Sequence, residues 1–120
     1  MWKILVVDDN PSILEAVSLV LSRRKMEVIT LEDPAVLHDY IARFEPDVLL
    51  MDIAMGSYDG RRLCREIKTS PEESKLPVIL FSARNYSEES IRFCKADSMI
   101  AKPFRIDELY NVVSNLLPSA

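Results

Sequence analysis

Five short apolar runs, each followed by a longer amphipathic stretch, constrain this chain more than any other feature. The runs are KILVV (3–7), EVIT (27–30), DVLLM (47–51), PVILF (77–81) and SMIA (98–101). Near-continuous apolarity over so few residues suits strands buried on both faces. The stretches between them carry helix signals. Asn10 can cap and Pro11 suits a first helical position, ahead of SILEAVSLVLSRRK (12–25). There Ile13, Leu14, Val17 and Leu21 fall at helical spacing, and basic residues close the last turn. Asp33 and Pro34 repeat the cap-plus-proline signal before AVLHDYIARF (35–44). RRLCREIKTS (61–70), SEESIRFCKA (87–96) and RIDELYNVVSNLL (105–117) supply three more helices, with Pro118 as a stop. Strand then helix, five times over, predicts an α/β fold: a central five-stranded parallel sheet between two helical layers.

In an open α/β sheet, ligands bind beyond the carboxyl ends of the strands, where the strand order reverses. For the flavodoxin-like order 2-1-3-4-5 that point lies between strands 1 and 3. The first run ends in Asp8 and Asp9, the third in Asp52, the fourth in Ser82, and the fifth is followed by Lys102. Five polar groups from four strand ends therefore converge on one patch. Three carboxylates in one cleft repel and resist full ionisation without a counter-charge. All-oxygen ligation suits Mg²⁺, which takes one or two carboxylates, keeps waters and accepts a phosphate oxygen. Lys102 is a point charge suited to a phosphoryl oxygen, and Ser82 can donate a hydrogen bond. A carboxylate in such a site can also act as the nucleophile and form an aspartyl phosphate.

Composition narrows the classes. The chain has 120 residues, one domain's length, with 48% apolar and 28% charged residues, as a globular domain requires. Its net charge of -4 argues against nucleic acid as a direct partner. No apolar run approaches the roughly 20 residues of a membrane span. The start, MWKILVVDDN, lacks a signal peptide's long apolar region. Cys64 and Cys94 form no CxxC motif and are expected as free thiols in or near the core, so a cytoplasmic location fits best.

Four segments together resemble the bacterial two-component response-regulator receiver domain, the CheY-like family. ILVVDDNPSIL is similar to its acidic pair after strand 1, and MDIAMGSYDG to its D-x-x-M-P-x-M-D-G segment. VILFSA resembles its strand 4 ending, and AKPFRIDEL its K-P-F-x-x-D-E-L. The likeness covers residues 1–120 as one receiver domain, with no output domain in this chain. It implies that Asp52 is the phosphoacceptor for a histidine kinase or phosphotransfer protein. It implies Mg²⁺ bound by Asp9, Asp52 and the backbone carbonyl of Ala54, with Asp8 acting through water. Ser82 would bond the phosphoryl group and shift on activation, Lys102 would contact the carboxylate or a phosphoryl oxygen, and the Lys102–Pro103 bond would be cis. Readout by a downstream protein through the helix 4–strand 5–helix 5 face is implied, and a homodimer is compatible with it. Such a protein is a switch that catalyses its own phosphorylation and dephosphorylation, not a turnover enzyme.

The sequence departs from the family at three places. Gly56 stands where proline is usual, which frees φ but loosens the loop. Met99 stands at the switch position of an aromatic, without hydroxyl or ring. Lys95–Ala96 replaces Gly–Ala. Two other functions compete. One is a receiver fold used as a binding module without phosphorylation, whose signal would be loss of an acid or of the lysine. The other is a Mg²⁺-dependent phosphohydrolase with an aspartyl nucleophile, but DDNPS does not match its D-x-D-x-[TV]. Asp59 reads as a turn or helix cap, His38 as a surface residue, and the SRRK and GRR charges as solvating helix ends.

Overall fold

A computed structural model describes residues 1–117. Five strands, β1 (Trp2–Val7), β2 (Met26–Leu31), β3 (Val48–Asp52), β4 (Val78–Ser82) and β5 (Ser98–Ala101), form one sheet. All its pairings are parallel, as the alternation predicts, and the order β2-β1-β3-β4-β5 is the expected one of a flavodoxin-like (βα)5 sandwich. β3 and β4 are buried along their whole length, which explains their unbroken apolar sequence. β2 and β5 lie at the edges and carry exposed residues, Glu27, Thr30 and Ala101 among them.

Alternate residues of each strand feed opposite faces. Leu5, Val7, Leu49, Met51, Val78 and Leu80 pack on one side with Leu37, Ile41, Leu63, Cys64, Ile67 and Cys94. Those partners come from α2 (Leu37–Phe44), α3 (Gly60–Thr69) and α4 (Glu88–Cys94). Ile4, Val6, Val48, Leu50, Ile79, Phe81 and Ile100 pack on the other side, against Leu14, Val17 and Leu21 of α1 (Pro11–Ser22) and Leu109 and Val113 of α5 (Ile106–Leu116). A strand's period of two is what makes one sequence serve two cores. Both cysteines are buried free thiols.

Several helix ends differ from expectation. Asn10 caps α1 by accepting from the Ser12 amide at 2.9 Å, but the helix stops at Ser22. Arg23, Arg24 and Lys25 do not close its last turn; they form the reversal into β2, with Lys25 left-handed at φ 63°. Only three residues separate α1 from β2, so the chain must turn there. Asp33 caps a single 3₁₀ turn, Pro34–Val36, rather than α2 itself. α4 begins at Glu88 after its cap Ser87 and ends at Cys94, where Lys95 turns left-handed at φ 63°. The expected stop at Pro118 lies outside the described residues. Among the described residues no helix is long and apolar enough to cross a membrane.

Candidate functional site

The carboxyl ends of β1, β3, β4 and β5 place their polar groups together. Asp8 follows β1 and its amide donates to the Leu31 carbonyl at 3.2 Å, which extends the strand ladder and buries the residue completely. Asp52 closes β3 and Ser82 closes β4; both are buried. Asp9 is exposed at the mouth. One carboxylate oxygen from each of Asp8, Asp9 and Asp52 lies within 4.8 Å of the others.

Lys102 answers part of this charge. Its Nζ donates to Asp8 Oδ2 at 2.9 Å and lies 3.5 Å from Asp52 Oδ1. The ammonium also sits 4.7 Å from the centre of the Phe81 ring, a favourable cation–π position. The Lys102 amide donates to the Ser82 carbonyl at 2.8 Å, fixing the root of the side chain to β4. The Lys102–Pro103 bond is cis. Three acids face one ammonium. Burial, and then the charge of Asp8, push the Asp52 carboxyl above its ordinary value, against the pull of Lys102. Asp8 is already held by Lys102 and by the Asn10 amide, which donates to Oδ1 at 2.9 Å. Asp9 and Asp52 are therefore the acids best placed to offer oxygens to a hard divalent cation, and an all-oxygen set fits one.

The surrounding backbone is built tightly around Asp52. Its Oδ1 accepts from the Ile53 amide at 2.9 Å. Ala54–Met55 then pairs antiparallel with Tyr58–Asp59 in a two-residue ribbon, with Ala54 exposed two residues past Asp52. Gly56 turns this ribbon at φ 60°, so the freedom read from the sequence is used to close the loop. Gly60 has a different reason. A Cβ there would sit 2.2 Å from the Asp52 carbonyl oxygen, and the Gly60 amide donates to the Ile53 carbonyl at 2.7 Å. Asp59 caps α3 as expected, accepting from the Arg61 amide at 2.9 Å. Ser82 Oγ accepts from the Arg84 amide at 3.0 Å. Met99 lies on β5, half-buried against the α2–α3–α4 core rather than in the cluster.

Two features were not legible beforehand. The Asp8–Lys102 pair joins residues 94 apart in sequence. Arg61 does not merely solvate a helix end, as its sequence context suggests: its guanidinium stacks 4.4 Å over the Tyr86 ring and binds Asp59 and Ser90. His38 does stand at the surface. Its Nδ1 is 2.9 Å from Glu73 and its Nε2 is 3.3 Å from Glu66.

Comparison with known proteins agrees with this arrangement. The pattern described as "Response regulator receiver domain" matches residues 4–114. Heme response regulator HssR of Staphylococcus saprophyticus is 32% identical over 111 residues, covering 91% of this chain and 48% of that protein. Response regulator GtcR of Aneurinibacillus migulanus is 38% identical over 103 residues, covering 84% of this chain and 41% of that protein. The chain thus spans about half the length of the curated relatives it matches. Among solved structures, response regulator TrrA of Thermotoga maritima, in complex with Mg²⁺-BeF, superposes with a TM-score of 0.87 at 29% identity, covering 98% of this chain and 100% of that one. With the family pattern over nearly its whole length and the acidic cluster at the ends of its central strands, the chain belongs to the receiver domain family of two-component response regulators.

Proposed function

We propose that this receiver domain is a phosphoacceptor switch in which Asp52 takes a phosphoryl group from a phosphohistidine on a histidine kinase or phosphotransfer protein. A single observation carries the reading. Asp52 ends the central strand, buried, with the other two acids within 4.8 Å and an ammonium 3.5 Å away. An Asp52 carboxylate oxygen attacks phosphorus in line. The P–O bond forms as the P–N bond breaks, and the departing imidazole takes up a proton. Lys102 is placed to meet charge on the phosphoryl oxygens, and it can do so while Asp8 still holds it. Ser82 supplies a hydroxyl at the end of the adjacent strand, bonded to the Arg84 amide of the loop that follows it.

Mg²⁺ is the cofactor proposed: Asp9, Asp52 and the Ala54 carbonyl would hold it, with Asp8 acting through water, and it would supply positive charge to offset that of the incoming group. That TrrA was solved with Mg²⁺-BeF supports this choice. A downstream protein reading α4, β5 and α5, or a second copy meeting that face, completes the proposal.

Incubation with acetyl phosphate and Mg²⁺, followed by intact-mass measurement, tests it. One phosphoryl mass is expected on the wild type and none on Asp52→Asn or in EDTA. Equal labelling of the Asn variant would overturn the assignment. Absence of labelling under all conditions would favour a binding module that works without phosphorylation.

A further inference from the structure

The loop after Asp52 and the loop after Ser82 are joined by one side chain. Arg61 is the second residue of α3, next to Gly60, whose backbone presses on that of Asp52. Its Nε and Nη2 grip the two carboxylate oxygens of Asp59 at 3.1 and 2.7 Å, a bidentate fork. Its Nη1 donates to Ser90 Oγ in α4 at 2.7 Å. Its face covers the Tyr86 ring at 4.4 Å, and Tyr86 belongs to the segment 83–87 that connects Ser82 to α4. Tyr86 in turn packs, half-buried, into the same core as Met99 and Ile91.

The contacts form a continuous path: Asp52 backbone, Gly60, Asp59 with Arg61, then Tyr86 and Ser90. Only arginine can hold all three partners at once. It offers five donors in a rigid plane and a face that stacks, whereas lysine offers a point charge. The Asp59–Arg61 pair is partly exposed, with 45% and 32% of the side chains accessible, so its contribution to stability is small. Its consequence is geometric. Met99, on β5, carries no side-chain donor to bond these loops.

Resting on the phosphoacceptor reading above, we propose that Arg61 is a positioning residue that couples the state of Asp52 to α4 through Tyr86 and Ser90. Changes in the segment after Asp52 reach Asp59, swing the guanidinium, and reposition Tyr86 and the first turns of α4.

Amide chemical shifts on adding beryllofluoride with Mg²⁺ test this in the full chain. In the wild type, the amides of Asp52, Ser82 and residues 86–94 are expected to move. In Arg61→Lys, which keeps the charge, Asp52 and Ser82 should still respond while the shifts over 88–94 are lost. Tyr86→Leu should do the same. Ser90→Ala removes one arm of the contact, should reduce the shifts over 88–94, and serves if either of the other variants fails to fold. The proposal is overturned if α4 responds equally with and without the guanidinium, or does not respond in the wild type. It is also overturned if Asp52 itself falls silent in Arg61→Lys, which would place Arg61 in the binding site. Silence of Asp52 in the wild type would instead remove the phosphoacceptor reading, and this inference with it.

Discussion

Asp52 is a carboxylate kept where ionisation is unfavourable. Its folded pKa is raised by burial and by Asp8, so the group contributes stability only in its protonated form. That contribution is present below the ordinary carboxylate value, 3.8, and is lost as pH rises through the raised folded value. Asp52→Asn should therefore raise the Tm at pH 7.5 without divalent cation. Each kcal/mol is worth roughly 4 °C in a chain of this size. The variant's advantage should shrink as the pH falls through the acid range. Lys102 keeps its 2.9 Å bond to Asp8 in the variant, so no cation is stranded. Thermal melts of both proteins across pH decide the matter; an Asn variant less stable than the wild type at pH 7.5 contradicts this account. At this scale the sequence was informative for Asp8, Asp9, Asp52, Ser82 and Lys102, because each abruptly ends an apolar run. It was silent on who pairs with whom. Asp8 and Asp52 compete for one ammonium, and side-chain geometry settles that.

At the scale of elements, the loop after β3 shows how one backbone angle shapes a site. Gly56 adopts φ 60° between Met55 and Tyr58, which are paired in the ribbon. Proline, locked near -65°, cannot take that angle. Gly56→Pro should cost more than about 1 kcal/mol and open the ribbon, since a substitution incompatible with the native angle destabilises beyond its unfolded-state gain. Gly56→Ala should cost less, because a Cβ there meets nothing within 4 Å. Urea unfolding of the two variants compares them; a proline variant as stable as the alanine one contradicts the ribbon geometry. Strand and helix identities were readable from period and capping. Helix ends were not. α1 stops before its basic tail because β2 begins after only three intervening residues, and Lys95 takes a left-handed cap that glycine would adopt without strain. Those ends answer to the neighbouring strand rather than to local preference.

Across the whole molecule, the sheet divides the interior into two cores. Cys64 and Cys94 meet in the one beneath α3 and α4, and the Cys64 thiol donates to the Cys94 carbonyl at 3.3 Å. Burial pushes the Cys64 thiol up, and both sulfurs are shut off from water. A thiol reagent such as Ellman's should leave both unmodified in the native protein and titrate two after denaturation. Rapid native labelling of either would mean that α4 opens far more readily than its packing implies.

The sequence by itself determined the strand–helix alternation, the parallel sheet and the set of groups at its carboxyl edge. Those depend on local periodicity and on the rule that places strand ends together. Tertiary structure alone decided that Lys102 binds Asp8 more closely than Asp52, that Gly60 lies against the phosphoacceptor candidate's own backbone, and that Arg61 spans two loops. The Lys102 and Arg61 contacts reach residues tens of positions away and the Gly60 contact folds a loop back on itself; their partners are chosen by distances of an ångström or less, to which periodicity is blind.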